Sequence, residues 1–211
     1  MSEFIPDLER LAADRLASIV AAGADATSGD LGKLLEVALA NEVGVAELAA
    51  SWVPTTAELD VKLAFARQAG DEAGHFQLVA ARLAAHGFEL DRYQVPAANP
   101  LFQYLASLTT TLERIAAGLF TLELIAYGVN ENFIAFCRAH DDDETVRLYE
   151  TIIQPEERAH HELGKRLLAK YATTPALQAD ARAIVERVLA IAATTRAAAA
   201  TRLGVACFPG C

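Results

Sequence analysis

The stretch GDEAGHFQLV, residues 70–79, decides how this chain is read. With its upstream neighbours it places Phe65, Ala69, Glu72, His75, Phe76 and Val79 at helical spacing, the pattern of a buried helix face. Two of those positions are ionisable, and Asp71 stands beside them. Charge on an apolar face is costly unless something compensates it. The step from Glu72 to His75 sets a carboxylate and an imidazole about one turn apart on the same side of the helix.

The pattern returns in PEERAHHELG, residues 155–164, as Glu157-x-x-His160. Each copy has a lone glutamate upstream: Glu42 lies 30 residues before Glu72, and Glu123 lies 34 before Glu157. In an antiparallel helical hairpin such distances bring the paired positions to the same height. The lone glutamates also replace core residues, Glu42 in the row Leu35, Ala38, Val45, Ala49 and Glu123 in the row Leu112, Ala116, Leu119, Tyr127. Four buried anions are untenable alone, and two divalent cations would balance them. Carboxylate-rich ligation with one imidazole per cation suits iron or manganese. The expected ligands are Glu42, Glu72, His75, Glu123, Glu157 and His160. His161 competes with His160, but the parallel with His75 favours His160; Glu36, Glu47 and Glu131 are further acids in reach.

The rest of the chain supports helices throughout. Hydrophobic residues make up 53% of 211, and long β-branched runs are absent, so helix formers dominate. Helices are expected over about 6–22, 31–52, 55–86, 101–140, 143–171 and 175–203, with Thr55 and Glu58 as a capping box and 23–30 as a loop. The expectation is an all-α, single-domain (1–211) ferritin-like four-helix bundle: two hairpins, 31–86 and 101–171, one crossover connection, and extra N- and C-terminal helices. Pro155 must kink its helix. Gly44, Gly74, Gly118, Gly128 and Gly164 serve close packing, or in the case of Gly128 and Gly164 make room beside the metals. Tyr127, one turn after Glu123, is either a core tyrosine or a pocket-lining, catalytic phenol.

Charge and cysteines narrow the class. A net charge of −10, from 28 acidic and 18 basic residues, argues against a nucleic-acid or anionic-membrane surface. The opening MSEFIPDLERL has no signal-peptide core, no apolar run is long enough to span a bilayer, and Cys137, Cys207 and Cys211 are odd in number. A cytoplasmic protein with free thiols is expected. Apolar composition and a helical exterior point to a homodimer.

The chain resembles the ferritin-like di-iron carboxylate proteins. Its first hairpin is further similar to the catalytic subunit of phenylacetyl-CoA epoxidase and related aromatic-acid oxygenases. The matching residues are NEVG (41–44), Trp52 and DEAGH (71–75), and VNENFIAFCR (129–138) resembles a stretch of the same family. The resemblance implies two iron ions, or a manganese–iron pair, that activate O2 toward a small hydrophobic or aromatic substrate, with electrons from a separate reductase. It also implies that Asp71 and Glu156 hold the second ring nitrogens of His160 and His75, across the hairpins; a solvated surface acid is the alternative for each. The contrasting reading is a ferritin- or rubrerythrin-like protein that handles iron.

Overall fold

Seven helices and one short 3-10 turn (Leu90–Arg92) supply the regular structure of the described residues, 3–24 and 29–210, in a computed structural model; no strand occurs among them. They are α1 (Phe4–Ala21), α2 (Leu31–Trp52), α3 (Leu59–Ala85), α4 (Pro100–Ala106), α5 (111–139), α6 (143–171) and α7 (Pro175–Leu203). Two of them are composite. α5 runs through Thr111–Arg114, a π-helical stretch Ile115–Leu122, and Glu123–Ala139. α6 runs through Asp143–Leu148, a π-helical stretch Tyr149–Ile153, and Gln154–Tyr171.

Local chemistry sets most boundaries. Asp30, Asn99, Asp142 and Thr174 each accept a backbone N–H in the first turn of the helix they open, which satisfies donors that the helix itself leaves unpaired. Pro100 and Pro175 follow at positions where a missing N–H costs nothing. Gly204 ends α7 in the left-handed conformation, with φ of 73°.

Two expectations need correction. The helix expected over 101–140 is broken at 107–110, because Thr110 and Glu113 form a capping box that starts α5 afresh. No capping box forms at Thr55 and Glu58. The Thr55 hydroxyl donates to the Trp52 carbonyl at the end of α2, and the Glu58 carboxylate accepts the Thr111 hydroxyl instead. Of the expected loop at 23–30, residues 25–28 lie outside the described residues, as does Cys211.

α2 packs along α3, α5 packs along α6, and α3 meets α6 to join the pairs. A crossover over 86–110 links them and carries α4, while α1 and α7 pack against the second pair. The bundle is all-α, as expected. Its core has two apolar lobes. One gathers Val45, Leu48 and Trp52 with Phe65, Ile115, Phe120, Leu168 and the first half of α7. The other gathers Leu34, Leu35 and Leu39 with Val79, Leu83, Phe133, Tyr149 and Ile153. Every bundle helix enters one lobe, passes a polar layer and continues into the other. No helix among the described residues is long and apolar enough to cross a membrane.

Candidate metal centre

The polar layer is where the six ligand candidates meet. Glu42 comes from α2, Glu72 and His75 from α3, Glu123 from α5, Glu157 and His160 from α6; none is more than 5% exposed. They fall into two groups, Glu42–Glu72–His75–Glu157 and Glu72–Glu123–Glu157–His160, in each of which one oxygen or nitrogen per residue lies within 4.8 Å of all the others. Glu72 and Glu157 belong to both. Each lone glutamate pairs with one imidazole, and the two Glu-x-x-His carboxylates stand between the pairs.

The imidazoles are oriented from behind. His75 Nε2 lies 2.7 Å from Glu156, and His160 Nε2 lies 3.0 Å from Asp71. Each contact crosses from one hairpin to the other. An ionised carboxylate only accepts, so each Nε2 carries a proton and each Nδ1 turns to the cluster. His75 Nδ1 stands 3.3 Å from Glu42 and 3.2 Å from Glu72; His160 Nδ1 stands 3.5 Å from both Glu72 and Glu123. A backing carboxylate that fixes the tautomer is the arrangement metal-bound histidines need.

Without a cation, protons must neutralise this layer. Burial, reinforced by the Glu72 charge, lifts the Glu42 carboxyl to about 8. Burial also lifts Glu157 well above the usual range, helped by the charges of Glu123 and Glu72. Burial opposes charge on Glu72 too, but the facing His160 and His75 imidazoles outweigh it and hold that carboxyl at about 2. For both imidazoles burial favours the neutral ring and the facing carboxylates win, holding the proton to about 11. The residues fit a metal better than they fit one another. Glu72 Oε1 and His160 Nδ1 are buried, and neither makes a hydrogen bond. Such orphaned atoms are rare in folded proteins, and a cation would satisfy both. Hard oxygen donors with one imidazole per group suit iron or manganese.

The other candidates lie around this layer. His161 Nδ1 bonds the Phe120 carbonyl at 2.7 Å, so His161 faces away from the cluster. Glu47 and Glu131 are exposed, and Glu131 accepts from Gln154 at 2.6 Å; Glu36 lines an outer cleft. Tyr127 is half-buried, its backbone carbonyl accepts from Gln154, and the small cavity at the cluster is lined by other residues. Gly164 and Gly128 make no room for substrate. A Cβ on Gly164 would come within 2.6 Å of the Leu119 backbone, and one on Gly128 within 3.0 Å of Leu16. Pro155 is exposed and follows the second π stretch, which supplies the distortion expected of it. Cys137 and Cys207 are free and buried.

Three features escaped the sequence reading. Gln68, buried one turn before Glu72, donates to Glu123; an amide on the same stripe as Glu72 was the available signal. Tyr149 is fully enclosed, its hydroxyl has no hydrogen-bond partner, and burial followed by the nearby Glu42 charge raises its pKa. Finally, Gly210 of the C-terminal tail lines the cavity together with Asn41, Glu42, Val45, Glu72, Glu123 and Glu157. That tail returns from beyond α7, and no local pattern announced it.

A family model described as a protein of unknown function (DUF455) matches residues 38–199, a span that contains all six clustered residues. No curated protein and no solved structure matches the chain.

Proposed function

We propose that this chain, which belongs to the DUF455 family, binds two divalent ions, iron or a manganese–iron pair, and activates dioxygen toward a small, largely apolar organic substrate. The family description names no activity, so the reading stands on the residues. The observation that carries it is the sharing of Glu72 and Glu157 between two four-residue groups. Four carboxylates match two dications in charge, and paired metals held by shared carboxylates are the working unit of ferritin-like di-metal proteins. This layout also supports the likeness to the di-iron carboxylate oxygenases.

In this reading Glu42 and His75 would hold one ion and Glu123 and His160 the other, with Glu72 and Glu157 within reach of both. Bound as a pair, reduced ions supply the electrons that dioxygen chemistry needs. The protein's own tasks are positional. Asp71 and Glu156 keep the Nε2 protons in place, so that the Nδ1 lone pairs stay available. Gln68 donates to one oxygen of Glu123 and limits how that carboxylate can turn. The two apolar lobes on either side exclude bulk water. Electrons for repeated turnover come from a separate reductase.

Iron handling is the contrasting activity, and one experiment separates them. Iron-loaded, chemically reduced protein should consume roughly one O2 per metal pair and then stop until electrons and substrate are supplied. Many equivalents of ferrous iron are then added under air. Sustained oxidation with growth of a mineral would sink the oxygenase reading and leave the ferroxidase one.

A further inference from the structure

A cleft of about 1020 Å³ lies between α2, the crossover segment and α7. That volume sits at the upper end of the range for small-molecule sites. Val37 and Ala40 of α2, Leu101 of the crossover and Ile191 and Leu203 of α7 give it apolar walls. Its charged groups are mostly cationic. Lys33, Arg187 and Arg202 line it together with a single carboxylate, Glu36, while the fourth cation, Arg196, is engaged by the tail. In a chain of net charge −10 a cationic cleft is a local reversal of sign, and such a reversal attracts anions. Arg187 and Arg202 are separated along α7 by roughly 22 Å at the helical rise, so the cleft is long.

The floor of this cleft is the roof of the metal centre. Asn41 lines both the cleft and the small cavity at the cluster, which is only about 10 Å³. The tail completes the partition: Phe208 faces the cleft, and Gly210 faces the cavity. The partition is pinned through backbone atoms. Asn41 donates to the Pro209 carbonyl at 3.0 Å, and the Gly210 N–H donates to Asn130 at 2.9 Å. Arg196 donates to the Phe208 and Gly210 carbonyls at 2.6 and 2.7 Å and lies 4.2 Å over the Phe208 ring. Gly210 has φ of 76° and no space for a Cβ beside Asn41, so the tail approaches as closely as backbone can.

We propose that this cleft binds an elongated amphipathic organic anion, an apolar chain or ring system ending in a carboxylate, sulfonate or phosphate. We further propose that residues 208–210 are the gate between that ligand and the buried cluster. The gate rests on the metal reading above; the cleft does not. The cleft supplies what the small cavity lacks, a place for an organic molecule, and the tail and Asn41 stand between them.

The test uses full-length, iron-loaded protein and decanoate, with decanamide as its neutral counterpart. Calorimetric titration should give one saturable decanoate site, with decanamide about tenfold weaker. Replacing the two exposed arginines together, Arg187→Ala with Arg202→Ala, should weaken decanoate about tenfold and leave decanamide unchanged. Equal binding of both probes, or no effect of the double variant, overturns the cleft. Phe208→Ala should speed removal of iron by a chelator about tenfold, because that ring and its Arg196 contact hold the tail down. An unchanged extraction rate, in a variant whose melting shows it folded, overturns the gate. If the chain takes up neither iron nor manganese, the metal reading and the gate fail while the titrations still judge the cleft. If metal loads and the probes ignore the arginines, the cleft alone fails.

Discussion

The two hairpins deliver the same three groups by different routes. In the first, Glu42, Glu72 and His75 sit on uninterrupted α-helices. In the second, Glu123 directly follows the π stretch Ile115–Leu122, and Glu157 follows the π stretch Tyr149–Ile153 by four residues. A π turn holds an extra residue and is uncommon, and it recurs where a side chain must be re-aimed for function. The second hairpin has therefore given up regular hydrogen bonding close to both of its carboxylates. It has also drawn its helices together, since Gly164 of α6 touches the backbone of Leu119 and Phe120 within the first π stretch. One hairpin is a regular frame; the other is shaped against it.

If that division holds, the shared carboxylates are equivalent although their surroundings differ. Glu72→Ala and Glu157→Ala should each take metal content from two equivalents per chain toward none, because each residue belongs to both groups. Glu42→Ala and Glu123→Ala should each leave about one equivalent. Glu131→Ala should change nothing, since that side chain is exposed and bonded to Gln154. Elemental analysis of purified variants checks the set. Loss of both ions in Glu123→Ala would place the shared role on the π-adjacent residue and break the proposed equivalence.

Metal removal comes next in size. At a thousandfold excess over the dissociation constant each bound ion contributes about 4 kcal/mol, and in a chain of this size 1 kcal/mol moves the midpoint by about 2–4 °C. With two ions, chelation should therefore lower the melting temperature by about 15 °C or more. The metal-free protein carries a pH signature as well. Glu42 keeps its proton to about 8 in the fold against an ordinary 4.5, so metal-free stability falls as pH rises between those values. The imidazoles act in the same sense. Their contribution is complete below 6.5 and is lost as pH rises through about 11. Metal binding displaces those protons, so affinity rises over the same window. Melting curves at about pH 5 and about pH 8 should show the metal-free form weaker at the higher pH and the gap to the loaded form wider.

The legible part of the centre was whatever repeats. Glu-x-x-His occurs twice with an upstream glutamate each time, and those six residues converge as their spacing suggested. The crossed pairs Asp71–His160 and Glu156–His75 followed from the resemblance and occur in the structure. The unequal spacings, 30 and 34, were visible, but their cause was not. Gly164 lies against the backbone of Leu119 and Phe120 inside the first π stretch, a contact across the hairpin that no single helix pattern encodes. The break at 107–110 was missed because apolar residues continue across it, and the box at Thr110 and Glu113 overrides them. The tail was illegible for a plainer reason. Its position depends on Asn41, Asn130 and Arg196, three polar residues far apart in sequence, each unremarkable where it stands.

A smaller effect should separate the backing carboxylates. Asp71→Asn and Glu156→Gln each keep size while weakening the acceptor behind an imidazole, and such changes typically cost 10–100-fold in metal affinity. Asp71 is the less exposed, 29% against 45% for Glu156, so its interaction with His160 is less screened by solvent. Competition with a calibrated chelator should rank Asp71→Asn as the more damaging. The reverse order would show that the short 2.7 Å contact to His75, in the regular hairpin, matters more than burial.

The smallest effect goes to the hairpins themselves, through one glycine in each. Gly74 lies inside α3 with nothing within 4 Å of an added Cβ. Ala there should stabilise by about 0.5–1 kcal/mol, because the unfolded chain loses freedom and the helix gains a better former. Gly164 lies inside α6, and its Cβ would press on main-chain atoms of Leu119 and Phe120 at 2.6–2.7 Å. Backbone cannot swing aside as a side chain can. Gly164→Ala should therefore destabilise by about 1–3 kcal/mol and disturb the π stretch that precedes Glu123. Thermal melting of metal-free protein measures the first consequence, and metal content measures the second. A regular frame tolerates the methyl group beside its histidine, whereas a hairpin shaped by backbone contact does not. If both alanines stabilise, the second hairpin is no tighter than the first, and its π turns need another cause.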